Sequence, residues 1–83
     1  MKINQDDLER LNISSWPIWS CEKSNFPWYY EKKELCYIIK GDIQVETENE
    51  TIQIQEQDFV TFPKGLSCWW NVKKSVKKHY IFE

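Results

Sequence analysis

Long hydrophobic runs are missing from this chain. No stretch of about 18 apolar residues occurs, so no membrane-spanning helix is expected. The N-terminus carries Asp6, Asp7, Glu9 and Arg10 where a secretory leader would have its apolar segment, so the default expectation is a cytoplasmic location. Histidine is nearly absent, with His79 the single imidazole. Cysteine is sparse: Cys21, Cys36 and Cys68 are odd in number and widely spaced. They form no Cys-x-x-Cys pair, which argues against a zinc knuckle or a thioredoxin-type site. They are expected as free thiols that pack like small apolar groups. An excess of either charge is also lacking. Eleven basic and thirteen acidic residues leave a net charge of −2, which gives no reason to expect nucleic acid. The one basic cluster, Lys73, Lys74, Lys77 and Lys78, reads as a solvated loop and strand end. No internal repeat, linker or low-complexity segment is evident.

Aromatic residues, by contrast, are abundant. Five Trp, four Tyr and four Phe stand in 83 residues. A chain of that length makes one domain and buries only about 60% of its unfolded surface. Its core must therefore be dense or shared, and each ring can bury roughly 150–250 Å². A packed aromatic core or a homodimer that covers some rings is expected.

Residues 1–15 begin with a short helix candidate. Asn4 can cap it, Asp6, Asp7 and Glu9 suit its N-terminus, and Leu8 and Leu11 share a face that would pack over one end of the β region. The β region spans residues 16–83. Pro17 and Pro27 restrict Trp16–Trp19 and Phe26–Tyr30 to strand starts or edges. Leu35–Ile39 reads as a strand and Gly41-Asp42 as a turn. Ile43, Val45 and Thr47 alternate with Gln44, Glu46 and Glu48, and Thr51–Gln55 alternates again after an Asn49-Glu50 loop. Phe59–Phe62, the turn Pro63-Lys64-Gly65 and Leu66–Asn71 read as a hairpin, with Pro63 and Gly65 setting the two corners. Lys73–Ser75 is expected as a loop and Val76–Phe82 as a last strand. About eight short strands with no helix among them predict an all-β jelly-roll barrel with a short N-terminal helix.

Two stretches resemble the motifs of the cupin superfamily. The run Glu34-Leu-Cys-Tyr-Ile-Ile-Lys-Gly41 matches the Glu-to-Gly end of the first motif, and Pro63-Lys64-Gly65 the heart of the second. Further segments resemble the small single-domain cupins grouped with the cupin domain of (S)-ureidoglycine aminohydrolase. They are Trp16–Trp19, Phe26–Trp28, Cys36–Ile38, Asp58–Cys68 and Lys78–Tyr80. The resemblance implies a cupin barrel, commonly dimeric. The ligand positions depart from the pattern. Trp28 and Tyr30 stand at the His-x-His positions, Cys68 at the remaining His, Val72 at the Asn and Gln57 at the opening Gly. Of the metal-binding residues only Glu34 stays, and an indole N–H has no lone pair for a metal. No metal or other cofactor is therefore expected, and neither a dioxygenase nor the ureidoglycine activity is carried across.

With motif orientation kept, Trp28, Tyr30, Glu34 and Cys68 point into the barrel mouth. Alternation adds Cys36 and Ile38 beside Glu34, and Trp70 and Val72 beside Cys68. That describes an aromatic pocket with one carboxylate and one or two thiols, suited to a small organic ligand. One alternative is acid–base or isomerase-type catalysis by Glu34 with Tyr30 or Cys68. Another is a plugged barrel serving as a structural or regulatory dimeric module, with Tyr29, Tyr37 and Ile39 on an outer docking face. The expected partners of Glu34 are the Tyr30 or Trp28 donors. A mixed Glu34, Cys68, His79 site suited to zinc or iron is conceivable if His79 faces inward.

Overall fold

The computed structural model describes residues 2–83. Helix α1 covers Gln5–Arg10. A 3-10 turn at Ile13–Ser15 leads into six strands: β1 (Ile18–Cys21), β2 (Ser24–Tyr29), β3 (Glu34–Glu46), β4 (Thr51–Gln55), β5 (Phe59–Phe62) and β6 (Ser67–Phe82). Among the described residues no helix is long and apolar enough to cross a membrane.

Two long strands organise everything else. β3 and β6 pair antiparallel along their length, from Glu34 opposite Phe82 to Glu46 opposite Trp69. At one end β1 extends the sheet beside β6, and β5 beside β3. At the other end β2 takes the place beside β6, and β4 the place beside β3. Each long strand therefore serves two four-stranded halves, and rings from the two halves meet in the interior. Trp19 on β1 lies edge-on to Phe26 and Trp70, and Phe62 on β5 meets Trp70 with centroids 5.9 Å apart. This is the expected cupin jelly roll.

The strand count is a correction, because the expected turns at Gly41-Asp42 and at Lys73–Ser75 are bends inside β3 and β6. The β3–β6 register slips three times between Ile38 and Ile43. Such bulges bend a strand without ending it. The slips also change which parity faces inward. Glu34, Cys36 and Ile38 point in before the bend, Ile43 and Val45 after it. Gly41 sits at φ +129°, and a Cβ there would lie 2.9 Å from the Cα of Val76. Only glycine allows the two bends to nest so closely.

The expected hairpin at Pro63–Gly65 is also corrected. β5 pairs with β3 and β6 with β2, so this turn carries the chain from one half to the other. The Leu66 N–H bonds the Pro63 carbonyl at 3.3 Å, which makes Pro63 the first residue of the turn rather than its first corner. Gly65, at φ +90°, takes the second corner as expected. The turn is tied to the end of β2 through Gly65 N–H to Tyr30 O and Tyr30 N–H to Leu66 O.

Helix α1 forms where the acidic pattern placed it. Asn4 and Asp7 make a capping box. The helix does not close a barrel end. With the buried Ile13 it lies over Tyr37 and His79, on the outer face of β3 and β6, and Leu11 remains exposed.

Candidate functional site

The interior has two chemically distinct parts. Around the bends, Ile38, Ile43, Val45, Ile54, Val72 and Val76 pack with essentially no exposure. Beside this packed part, flat rings from both halves of the sheet leave a cleft of about 200 Å³. Trp19, Phe26 and Trp70 form its deep walls. Trp28, Tyr80 and Phe82 line its opening, where Trp28 is 50% and Phe82 46% exposed. Rings in both favourable arrangements surround the space: Trp19 meets Trp70 edge-on at 6.1 Å, and Phe26 stacks on Trp70 at 6.0 Å.

The charged feature of the cleft is an ion pair. Lys78 Nζ lies 3.0 Å from Glu34 Oε1 and 3.2 Å from Oε2. Both residues are buried, Glu34 at 3% and Lys78 at 5% exposure. The ammonium also sits between two indole faces, 5.0 Å from the Trp19 ring and 4.9 Å from the Trp70 ring. That is cation–π distance on both sides. Register explains the pairing. Lys78 stands opposite Ile38 on β3 and Trp19 on β1, and its long stem carries the charge past Cys36 to Glu34. Burial pushes the Glu34 carboxyl above its ordinary value, and the charge and hydrogen bonds of Lys78 oppose that push.

The neighbouring groups are held neutral. Burial, then the Glu34 charge, raises Tyr30 far above the usual phenol range, so its hydroxyl stays protonated. Burial pushes the Cys36 thiol up to about 12. Burial raises Cys68 as well, and its thiol donates to the Trp28 carbonyl at 3.7 Å. Among the described residues, the buried indole N–H of Trp70 has no partner in hydrogen-bond geometry. Its dipole still favours charge on Tyr30 and Cys68, against the larger effect of burial.

Of the residues that the sequence placed at the mouth, Trp28, Tyr30, Glu34 and Trp70 line the cleft. Cys36, Cys68, Ile38 and Val72 point inward but lie in the packed core, outside its lining. The Glu34 carboxylate is satisfied by Lys78, not by the expected Tyr30 or Trp28 donors. Placing Lys78 on a solvated strand end is thus a correction. The signal that finds it is parity: Cys68, Trp70, Val72, Val76, Lys78 and Tyr80 share one phase along an unbroken β6. A supposed loop at Lys73–Ser75 breaks that count. His79, in the opposite phase, is on the outer face, with Nδ1 3.0 Å from the Trp16 carbonyl. A carbonyl only accepts, so Nδ1 carries the proton.

The donor set does not suit a cupin metal. Both Glu34 oxygens face an ammonium, the thiol of Cys68 is kept protonated, and His79 is on the far side of the sheet. Among the described residues no group of three or more His, Cys, Asp or Glu side chains converges.

Comparison with known proteins gives a consistent family. The pattern of the EutQ-like cupin domain matches residues 8–80. A DUF861 family protein of Thermotoga maritima superposes with a TM-score of 0.97 at 44% identity, over 100% of this chain and 96% of that one. A putative ethanolamine utilization protein Q of Salmonella typhimurium superposes with a TM-score of 0.71 at 26% identity, over 78% of this chain and 53% of that one. An Escherichia coli protein named acetate kinase EutQ is 30% identical over 60 residues, which is 72% of this chain. The match spans only 26% of that relative's length.

Proposed function

The chain belongs to the EutQ-like cupin domain family, and from that premise we propose that it binds a small organic molecule without a metal, in the aromatic mouth of its barrel. The observation that carries this reading is an open aromatic cleft with a single buried ion pair in its wall. Mostly apolar walls with one fixed polar group are the usual make-up of a small-molecule site. The volume, about 200 Å³, is below the roughly 300–1,000 Å³ of sites for drug-sized ligands, so the ligand is small. Glu34 and Lys78 neutralise each other, which favours an uncharged ligand that accepts a hydrogen bond from the ammonium or donates one to the carboxylate.

The ureidoglycine resemblance adds no activity, because Trp28, Tyr30 and Cys68 stand where that pattern has histidines. The name acetate kinase belongs to a relative of which this chain matches about a quarter, and acetate enters only as a probe. The plugged-barrel reading describes the aliphatic part alone. A role for Cys68 as nucleophile gains no support from a thiol that burial keeps protonated.

The test is titration with benzyl alcohol and with acetate, followed by tryptophan fluorescence, since Trp19, Trp28 and Trp70 all line the cleft. The expected result is saturable quenching by the neutral aromatic ligand. It should weaken at least about tenfold in Phe26→Ala, the loss of roughly 1.4 kcal/mol of wall contact. Linear, unsaturable quenching by every probe would end the proposal.

A further inference from the structure

We propose that Lys78 is an imine-forming lysine, and that the ligands of the cleft include small uncharged aldehydes or ketones that condense with its ε-amine. This rests on the reading of the cleft as a ligand site. Three observations carry it. First, Lys78 is one of the residues that line an open cleft. Second, Glu34 has an oxygen 3.0 Å from that nitrogen, within reach for proton exchange. Third, the indole rings of Trp19 and Trp70 flank the nitrogen at 5.0 and 4.9 Å.

The chemistry closes without any further reactant. Lys78 gives one ammonium proton to Glu34, leaving a free amine beside a carboxylic acid. The nitrogen lone pair attacks the carbonyl carbon, a C–N bond forms, and the C=O π bond breaks. A proton moves from nitrogen to oxygen to give the carbinolamine. Glu34 then returns its proton to the hydroxyl, and water leaves. The product is an iminium cation on Lys78 facing a Glu34 carboxylate.

Electrostatics favour this at both ends. The resting ammonium and the product iminium put the same positive charge at the same place, between the same two rings and against the same carboxylate. The site is thus organised for the product before reaction begins. Entry of an apolar ligand expels water and weakens both ions of the pair. Proton transfer within the pair then removes both charges from the drier cleft. The upward push that burial exerts on Glu34 acts in the same direction. The substrate class follows from the walls. Phe26, Tyr80 and Phe82 accept an apolar substituent, and a 2-oxo acid would bring a second carboxylate towards Glu34.

The experiment incubates the whole protein with substoichiometric benzaldehyde and sodium cyanoborohydride, then maps the benzylated lysines by mass spectrometry. The expected result is labelling of Lys78 ahead of every exposed lysine by about tenfold or more, as expected for a carbonyl held against the amine. Lys78→Arg cannot form an imine, so the label at position 78 should be gone while labelling of the exposed lysines is unchanged. If benzyl alcohol saturates the wild-type protein but the label falls only on surface lysines, the imine is ruled out and the binding site stands. If benzyl alcohol does not bind and Lys78 is not labelled, both fall together.

Discussion

The packed part and the open part of the interior are built on the same two strands and came out opposite in character. In one, β3 and β6 contribute Ile43, Val45, Val72 and Val76, and nothing is left open. In the other they contribute Glu34, Trp70, Lys78 and Tyr80, and a cleft remains. Branched aliphatics interdigitate at near-crystalline density, and the cleft opens where rings and one ion pair stand instead. The packed part can sustain the fold, which frees the open part to hold a charged pair that adds little to stability. A buried ion pair is weak evidence of stabilisation, because desolvation cancels much of the attraction.

Breaking the pair is the strongest way to test that contrast. Lys78→Met leaves Glu34 buried without its cation and should cost about 3–5 kcal/mol by denaturant unfolding. The double variant Glu34→Leu with Lys78→Met should recover most of that loss or exceed wild-type stability by about 1–4 kcal/mol. The single variant should also be pH-sensitive. Without Lys78, burial alone acts on Glu34 and holds its folded pKa above the unfolded one. Stability is then greatest below the unfolded value and is lost as pH rises through the raised folded one. A double variant as unstable as the single would show that the pair itself supports the fold.

The bends come next in size. Gly41→Ala should cost more than about 2 kcal/mol, since an unfavourable φ and a Cβ 2.9 Å from the Val76 backbone act together. Gly65→Ala, where the space around the Cβ is open, should cost only about 1–2 kcal/mol for the left-handed conformation. Equal losses would mean that the nesting of the two bends is loose. The smallest effects compare the two parts directly. Ile43→Val in the packed part should cost about 0.5–1.5 kcal/mol. Phe82→Ala at the open rim should stay within about 0.5 kcal/mol and act on ligand binding instead. The reverse order would deny that the two parts differ.

Much of this was legible in the residues. Period-two alternation placed Ile43, Val45, Ile52 and Ile54 correctly, and the acidic start with Asn4 placed α1. The Glu34 and Pro63–Gly65 matches led to the cupin barrel and hence to its mouth. What could not be read was the difference between a turn and a bend. Gly41-Asp42 looks the same in either role, and only the approach of Val76 makes it a bend. That one ambiguity hid Lys78, because the phase running from Cys68 was cut at Lys73. Cys36 and Cys68 were assigned the correct side, but alternation gives direction and not depth. It therefore could not separate the packed core from the lining of the cleft.

The place of β6 in the chain has a consequence for biosynthesis. β1 and β2 each pair with β6, which begins at Ser67. On the ribosome both segments emerge long before their partner, carrying Trp19, Phe26 and Trp28 uncovered. A slow, late closure is the cost of non-local pairing. During that wait the future walls of the cleft are exposed, sticky surface, and a chaperone or rapid translation of the second half would protect them.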